Sequence, residues 1–205
     1  MVARSKQEVP ALALSYATSN IVSQAFRWME LAPISSFADD SEQAQAAAEQ
    51  YPEAINQCLE EADWSFASKF ASLNVSPSLP SDDDLPYAYV RPGDFLRLID
   101  VKPNTVQYRL DQDALRADQA TSLTIRYMAK ITDESKLPAL FKQVVSLRLA
   151  ANLALRWSSS TRAKHLANEF ELAMKKAMRA DRASASSQRH DGRPRQGIWA
   201  DEALQ

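Results

Sequence analysis

The run from Leu140 to Trp157 constrains the fold most. Leu140, Phe141, Val144, Val145, Leu147, Leu149, Ala151, Leu153, Ala154, Leu155 and Trp157 put apolar side chains on nearly every side of a helix. A helix without a wet face has to be surrounded by other elements, so this one is expected at the centre. Thr132-Asp133-Glu134-Ser135 opens it, and Pro138 is tolerated in its first turn, where a missing N–H breaks no intrahelical bond. Ser158-Ser159-Ser160 interrupts it. A further helix from Thr161 presents Leu166, Phe170, Ala173, Met174 and Ala177 on one face, with Lys164, Lys175, Lys176 and Arg179 outside.

Two more helices precede it. Thr18 or Ser19 can cap the first, in which Ile21, Val22, Ala25, Phe26 and Met29 recur at near-helical spacing, and Pro33 is expected to stop it,. Asp39 or Asp40 can cap the second, whose buried stripe is Ala44, Ala47, Ala48, Tyr51, Ile55, Cys58 and Ala62,. Pro52 removes one backbone hydrogen bond, predicting a kink or two abutting helices. The alanine-rich half offers a flat face to a helix of the same subunit or of the next.

Between the helix pairs the pattern changes. From Trp64 the chain reads WSFASKF, a helix-like run of aromatic and small residues, before a loop at Ser76–Pro86 rich in proline, serine and aspartate,. Extended runs follow at Val90–Val101, around Pro92-Gly93, and at Val106–Leu110. The clearest is Leu123–Ile131, where Leu123, Ile125, Tyr127, Ala129 and Ile131 face one way and Thr124, Arg126, Met128 and Lys130 the other,. The expectation is a mainly α, α+β fold. It comprises an arm at 1–17, a four-helix bundle over 18–182 with a small antiparallel β-sheet inserted at about 87–131, and an extended C-terminal tail at 183–205.

Composition bounds the functional classes. Hydrophobic residues make up 45% and charged residues 24%, near a soluble globular average. No apolar run approaches a membrane span and the N-terminus carries no convincing cleavage site, so a soluble protein made and used in the cytoplasm of its host is expected. The single cysteine, Cys58, excludes an internal disulfide and reads as a core residue,. Net charge is −2, but the signs are segregated: every charge from Glu30 to Asp63 is acidic, whereas basic residues predominate from Arg162 to Arg195,.

Enzyme signatures are missing from the sequence. Glycine occurs only at Gly93, Gly192 and Gly197, so neither a phosphate-cradling loop nor a dinucleotide turn can be written. His165 reads as a solvated helix residue and His190 as a tail residue, neither beside a nucleophile. Glu60-Glu61-Asp63 and Asp82-Asp83-Asp84 could supply paired carboxylates, but they read as a wet helix face and a solubilising loop. The Asp triplet lacks the glycine turn of a calcium loop. Tyr87 and Tyr89 with Arg91 and Arg97 could suggest a nucleic-acid surface. Their two-residue spacing points instead to packing on a helix or a neighbouring subunit. No catalytic residue, metal or cofactor is expected.

Trp64, Phe66, Ala67, Pro86, Tyr87, Tyr89, Pro92, Asp94 and Arg97 follow an order that resembles the tail tubular protein A family of bacteriophage head-to-tail adaptors. ELAPISSFADDSEQA at Glu30–Ala44 and IRYMAKITDESKLPALFKQVVSLRLAANLA at Ile125–Ala154 are similar to further family segments, and together they span most of Ile21–Arg182. The resemblance implies a structural virion protein at the phage head-tail junction, assembled in the host cytoplasm. It would form a homo-oligomeric ring of about twelve copies between the portal protein and the next tail protein, a nozzle or tail tube, with DNA passing through without sequence-specific binding. Trp64, Phe66, Tyr87 and Tyr89 are then core or subunit-interface residues. Arg193, Arg195, Ile198 and Trp199 in the tail are the candidate portal contacts, with charge and one aromatic anchor. The tail is the part least like the family. An acid-rich second helix would repel phosphate if it lined the channel, and an outer solvated face fits it equally. Two other classes stay open: a tail-associated peptidoglycan hydrolase and a non-viral helical interaction module.

Overall fold

The computed structural model describes residues 19–79 and 82–184, so the expected arm at 1–17 and all but the start of the expected tail lie outside it. Helix α1 (Asn20–Trp28) begins at Ser19, whose hydroxyl accepts the Val22 N–H at 3.3 Å and satisfies an otherwise orphaned donor. It ends well before Pro33. Glu30 takes a left-handed conformation at φ 64°, and the N–H groups of Glu30 and Leu31 donate back to the carbonyls of Arg27 and Phe26. These paired bonds close a helix end by themselves.

Helix α2 (Glu42–Glu60) is capped by Ser41, which accepts from the Ala44 N–H at 3.1 Å. Neither Asp39 nor Asp40, the two expected caps, fills that place; Asp39 serves the preceding loop, its carboxylate accepting from the N–H groups of Ser35 and Ser36, both at 3.2 Å. Those bonds hold its pKa below the usual value, the Ser35 hydroxyl contributing most. Pro52 lies inside one continuous helix rather than dividing two. It is exposed, so water can satisfy the carbonyl that its ring leaves without a donor.

The single small sheet expected at about 87–131 is instead two three-stranded antiparallel sheets, starting at Ser68. The strands are β1 (Ser68–Leu73), β2 (Tyr87–Val90), β3 (Phe95–Lys102), β4 (Tyr108–Leu110), β5 (Ala114–Ala117) and β6 (Leu123–Ala129), ordered β1-β6-β3 and β2-β5-β4. The helix-like run after Trp64 is a 3-10 turn over Ser65–Ala67 that leads directly into β1. Beyond β1, Val75 bridges Tyr89 and the Ser76 N–H donates to the Ala88 carbonyl at 2.8 Å, joining the two sheets. Tyr89, Leu115, Leu123 and Ile125, all fully buried, fill a β core with Leu73, Val101 and Tyr127. Met128, expected on the opposite face with Thr124 and Arg126, is fully buried there and belongs to the helical core. The last part of β6 is therefore covered on both faces.

A 3-10 turn at Glu134–Lys136 precedes α3 (Ala139–Trp157), which starts after Pro138 rather than at Thr132. Helix α4 (Ser160–Ser184) follows, so Ala183 and Ser184, expected as the first residues of the tail, are helical. Helix α3 packs against α1, α2 and α4, the central position its all-round apolarity demands. The described residues thus form an α+β fold of four helices and two small sheets.

Candidate functional site

Residues 63–67 connect the end of α2 to β1, and Trp64, Phe66 and Ala67 pack in the helical core. Trp64 is buried in the helical core and its indole Nε1–H donates to the Cys58 carbonyl at 2.8 Å, satisfying an orphan acceptor in the last turn of α2,. Its ring lies 5.7 Å from Phe66 and 5.0 Å from Phe141 on α3, and Phe66 and Phe141 are themselves 5.0 Å apart. The Ser65 N–H and hydroxyl both donate to the Asp181 carboxylate on α4, at 2.9 and 2.6 Å. Asp63 accepts from Arg97 on β3 at 2.6 Å. A short run thus touches α2, α3, α4 and the β part at once. Beside it, burial pushes the Cys58 thiol up, Glu61 adds to the effect and Arg148 opposes it, so the thiol stays protonated and inert. Burial also raises the Glu61 carboxyl; Arg148 opposes this and Glu171 adds to it.

The tyrosine and arginine residues of the extended runs are not brought together. Tyr89 lies in the β core rather than against a helix, its hydroxyl 2.7 Å from the carbonyls of both Gln119 and Thr121. Tyr87 is half-buried at the margin of the same core. Arg91 stacks over the Phe95 ring at 4.9 Å, and Arg97 is committed to Asp63.

Each acidic run has one carboxylate paired in the fold, Asp63 with Arg97 and Asp82 with Arg109. Asp82 accepts from the N–H groups of Asp84 and Leu85 and pairs with Arg109 at 2.6 Å; Arg109 continues to Asp111 at 2.8 Å, which also accepts from Arg116 at 2.7 Å. The Arg109 guanidinium is the main reason the carboxyls of Asp82 and Asp111 lie below their usual range. A second polar group joins β1, β3 and β6: Asp94 accepts from Lys69 at 2.6 Å and from the Tyr127 hydroxyl at 2.9 Å. Burial works against the Asp94 carboxylate, but these bonds prevail and its pKa is lowered. Burial, reinforced by Asp94, pushes the Tyr127 phenol up to about 12.

His165 is exposed and lies 3.9 Å from Glu169, while His190 and the proposed portal contacts Arg193, Arg195, Ile198 and Trp199 lie outside the described residues. Among the described residues, no group of three or more His, Cys, Asp or Glu is placed to hold a metal ion, and no helix is long and apolar enough to cross a membrane.

No protein-family model and no curated protein matches this chain.

Three positions carry more than their sequence context advertised. Arg162 donates twice to the Trp28 carbonyl, at 3.0 and 2.6 Å, closing the end of α1. Asp181 is the one acid in the final turns of a basic helix, a signal for a specific partner. Leu172 is 61% exposed on α4, and its place off the apolar stripe marked it as outward.

Proposed function

We propose that the chain is a structural virion protein, the head-to-tail adaptor of a tailed phage. Its four helices work as one bundle, the β part is an insertion into it, and the C-terminal segment is an extended tail that docks on the portal. About twelve copies would form a ring between the portal and the next tail protein, with DNA passing through the hole and no bond-making by the ring itself.

The element order supports this reading most: two helices, a β region, two helices, with residues 63–67 tying the parts together. It follows the layout implied by the adaptor resemblance of Trp64, Phe66, Tyr87, Tyr89, Asp94 and Arg97. Electron microscopy of the protein mixed with the portal protein of the same virus is the test. A ring of this chain seated on the portal is expected; a portal that stays bare refutes the reading. Deleting residues 185–205 is expected to leave the helical signal intact and abolish seating, since the tail supplies Arg193, Arg195, Ile198 and Trp199.

A further inference from the structure

The charge segregation of the sequence appears in the fold as two exposed runs of opposite sign, one on α2 and one on α4. On α2, Glu42, Glu49, Glu53 and Glu60 are all exposed, and their spacings of seven, four and seven residues align them on one line. At 1.5 Å per residue that line is about 27 Å long. Glu42 is bridged to Arg156; among the described residues Glu49, Glu53 and Glu60 have no ion pair. On the last turns of α4, Lys175, Lys176, Arg179 and Arg182 are exposed and likewise unpaired among the described residues. The one acid among them, Asp181, is occupied by Ser65.

Helices α2 and α4 each pack chiefly on α3, and among the described residues no ion pair joins the acidic line to the basic turns within a copy. We infer that copies dock head to tail, the acidic line of α2 in one copy against the basic end of α4 in the next. The inference rests on the ring reading and gives it its lateral contact. Leu172 is the apolar anchor. It sits one turn before Lys175 and Lys176, and the positions beside Glu49 and Glu53 that would receive it are the small Ala46 and the exposed Pro52. A contact between two different faces leaves one face of each kind free at the ends, so it propagates until it closes. It also turns the α2 acids toward a neighbouring copy rather than toward DNA.

The test is a charge swap in the full chain, read by sedimentation at low salt. Glu49→Lys, Glu53→Lys and Glu60→Lys together make one variant; Lys175→Glu, Lys176→Glu and Arg179→Glu together make the other. Each alone is expected to weaken self-association by about tenfold or more, and added salt is expected to weaken the wild type, because exposed pairs are individually modest and screened. Mixing the two variants is expected to restore association, since alternate copies then present opposite signs, and only folded chains can do so. Leu172→Asp is expected to weaken association without changing the circular dichroism. Variants that associate like the wild type, or a mixture that does not recover, overturn the docking contact. A wild type that stays monomeric at low salt overturns it too. A portal-seated ring that tolerates both triple reversals sinks this contact and leaves the adaptor reading standing.

Discussion

The helical and β parts of the molecule are held together by different means. The helical core is broad, and several of its polar contacts close element ends: Trp64 on the Cys58 carbonyl, Arg162 on the Trp28 carbonyl, Asp181 on the Ser65 N–H. The β part has a smaller core, and charged hydrogen bonds surround it: Lys69–Asp94–Tyr127 on one side, Asp82–Arg109–Asp111–Arg116 on the other. A small unit buries a smaller share of its surface, and charge-assisted bonds at its rim fix what packing alone leaves loose. Burial organises the helices, whereas rim contacts contribute a larger share of the β part's order.

Truncating each part in turn measures that difference. Trp64→Ala should have the largest effect, about 3–5 kcal/mol in urea denaturation, because it empties the helical core and releases the end of α2. If far-ultraviolet circular dichroism and tyrosine fluorescence move together, the parts unfold as one; separate midpoints would show that residues 63–67 do not couple them. Leu115→Ala in the β core should cost about 3 kcal/mol. Tyr89→Phe should cost about 1 kcal/mol, leaving two carbonyls without their donor. Asp94→Asn should change stability least at neutral pH, by under about 1 kcal/mol, since the pair with Lys69 is partly exposed,. Its signature is at low pH. The folded pKa of Asp94 is lowered from 3.8, so its contribution is present above that value and is lost as pH falls through the folded pKa. The thermal midpoint of the variant should therefore fall less steeply than that of the wild type below about pH 4.

The helices were legible because each buries a stripe at a 3.6-residue period, and α3 most of its sides, although Leu155, read as part of its apolar surround, is 81% exposed. Their ends were less so: a left-handed glutamate and a serine cap decide α1 and α2, and neither residue type announces that role over its neighbours. The β part was half legible. β6 alternates, apart from Met128, which the helices cover. β1 was hidden because Phe66, Phe70 and Leu73 are spaced four and three apart, a helical period, although Phe70 is 69% exposed and lies under the Arg126 guanidinium at 5.8 Å. β5 is four residues long with alanine at both ends, too short and too small for any period. At the junction, Trp64 stood out by its size, whereas Ser65 and Asp181, 116 positions apart, become partners only through the fold.

The clasp between Asp181 and Ser65 also has a mechanical meaning. It holds α4 about one turn before Ser184, the last residue of that helix. A pull on anything attached beyond that point would reach Ser65 first and then, through the adjoining peptide, the indole beneath it. Load on the terminus would arrive at the aromatic cluster of Trp64, Phe66 and Phe141 and bypass the thin strands.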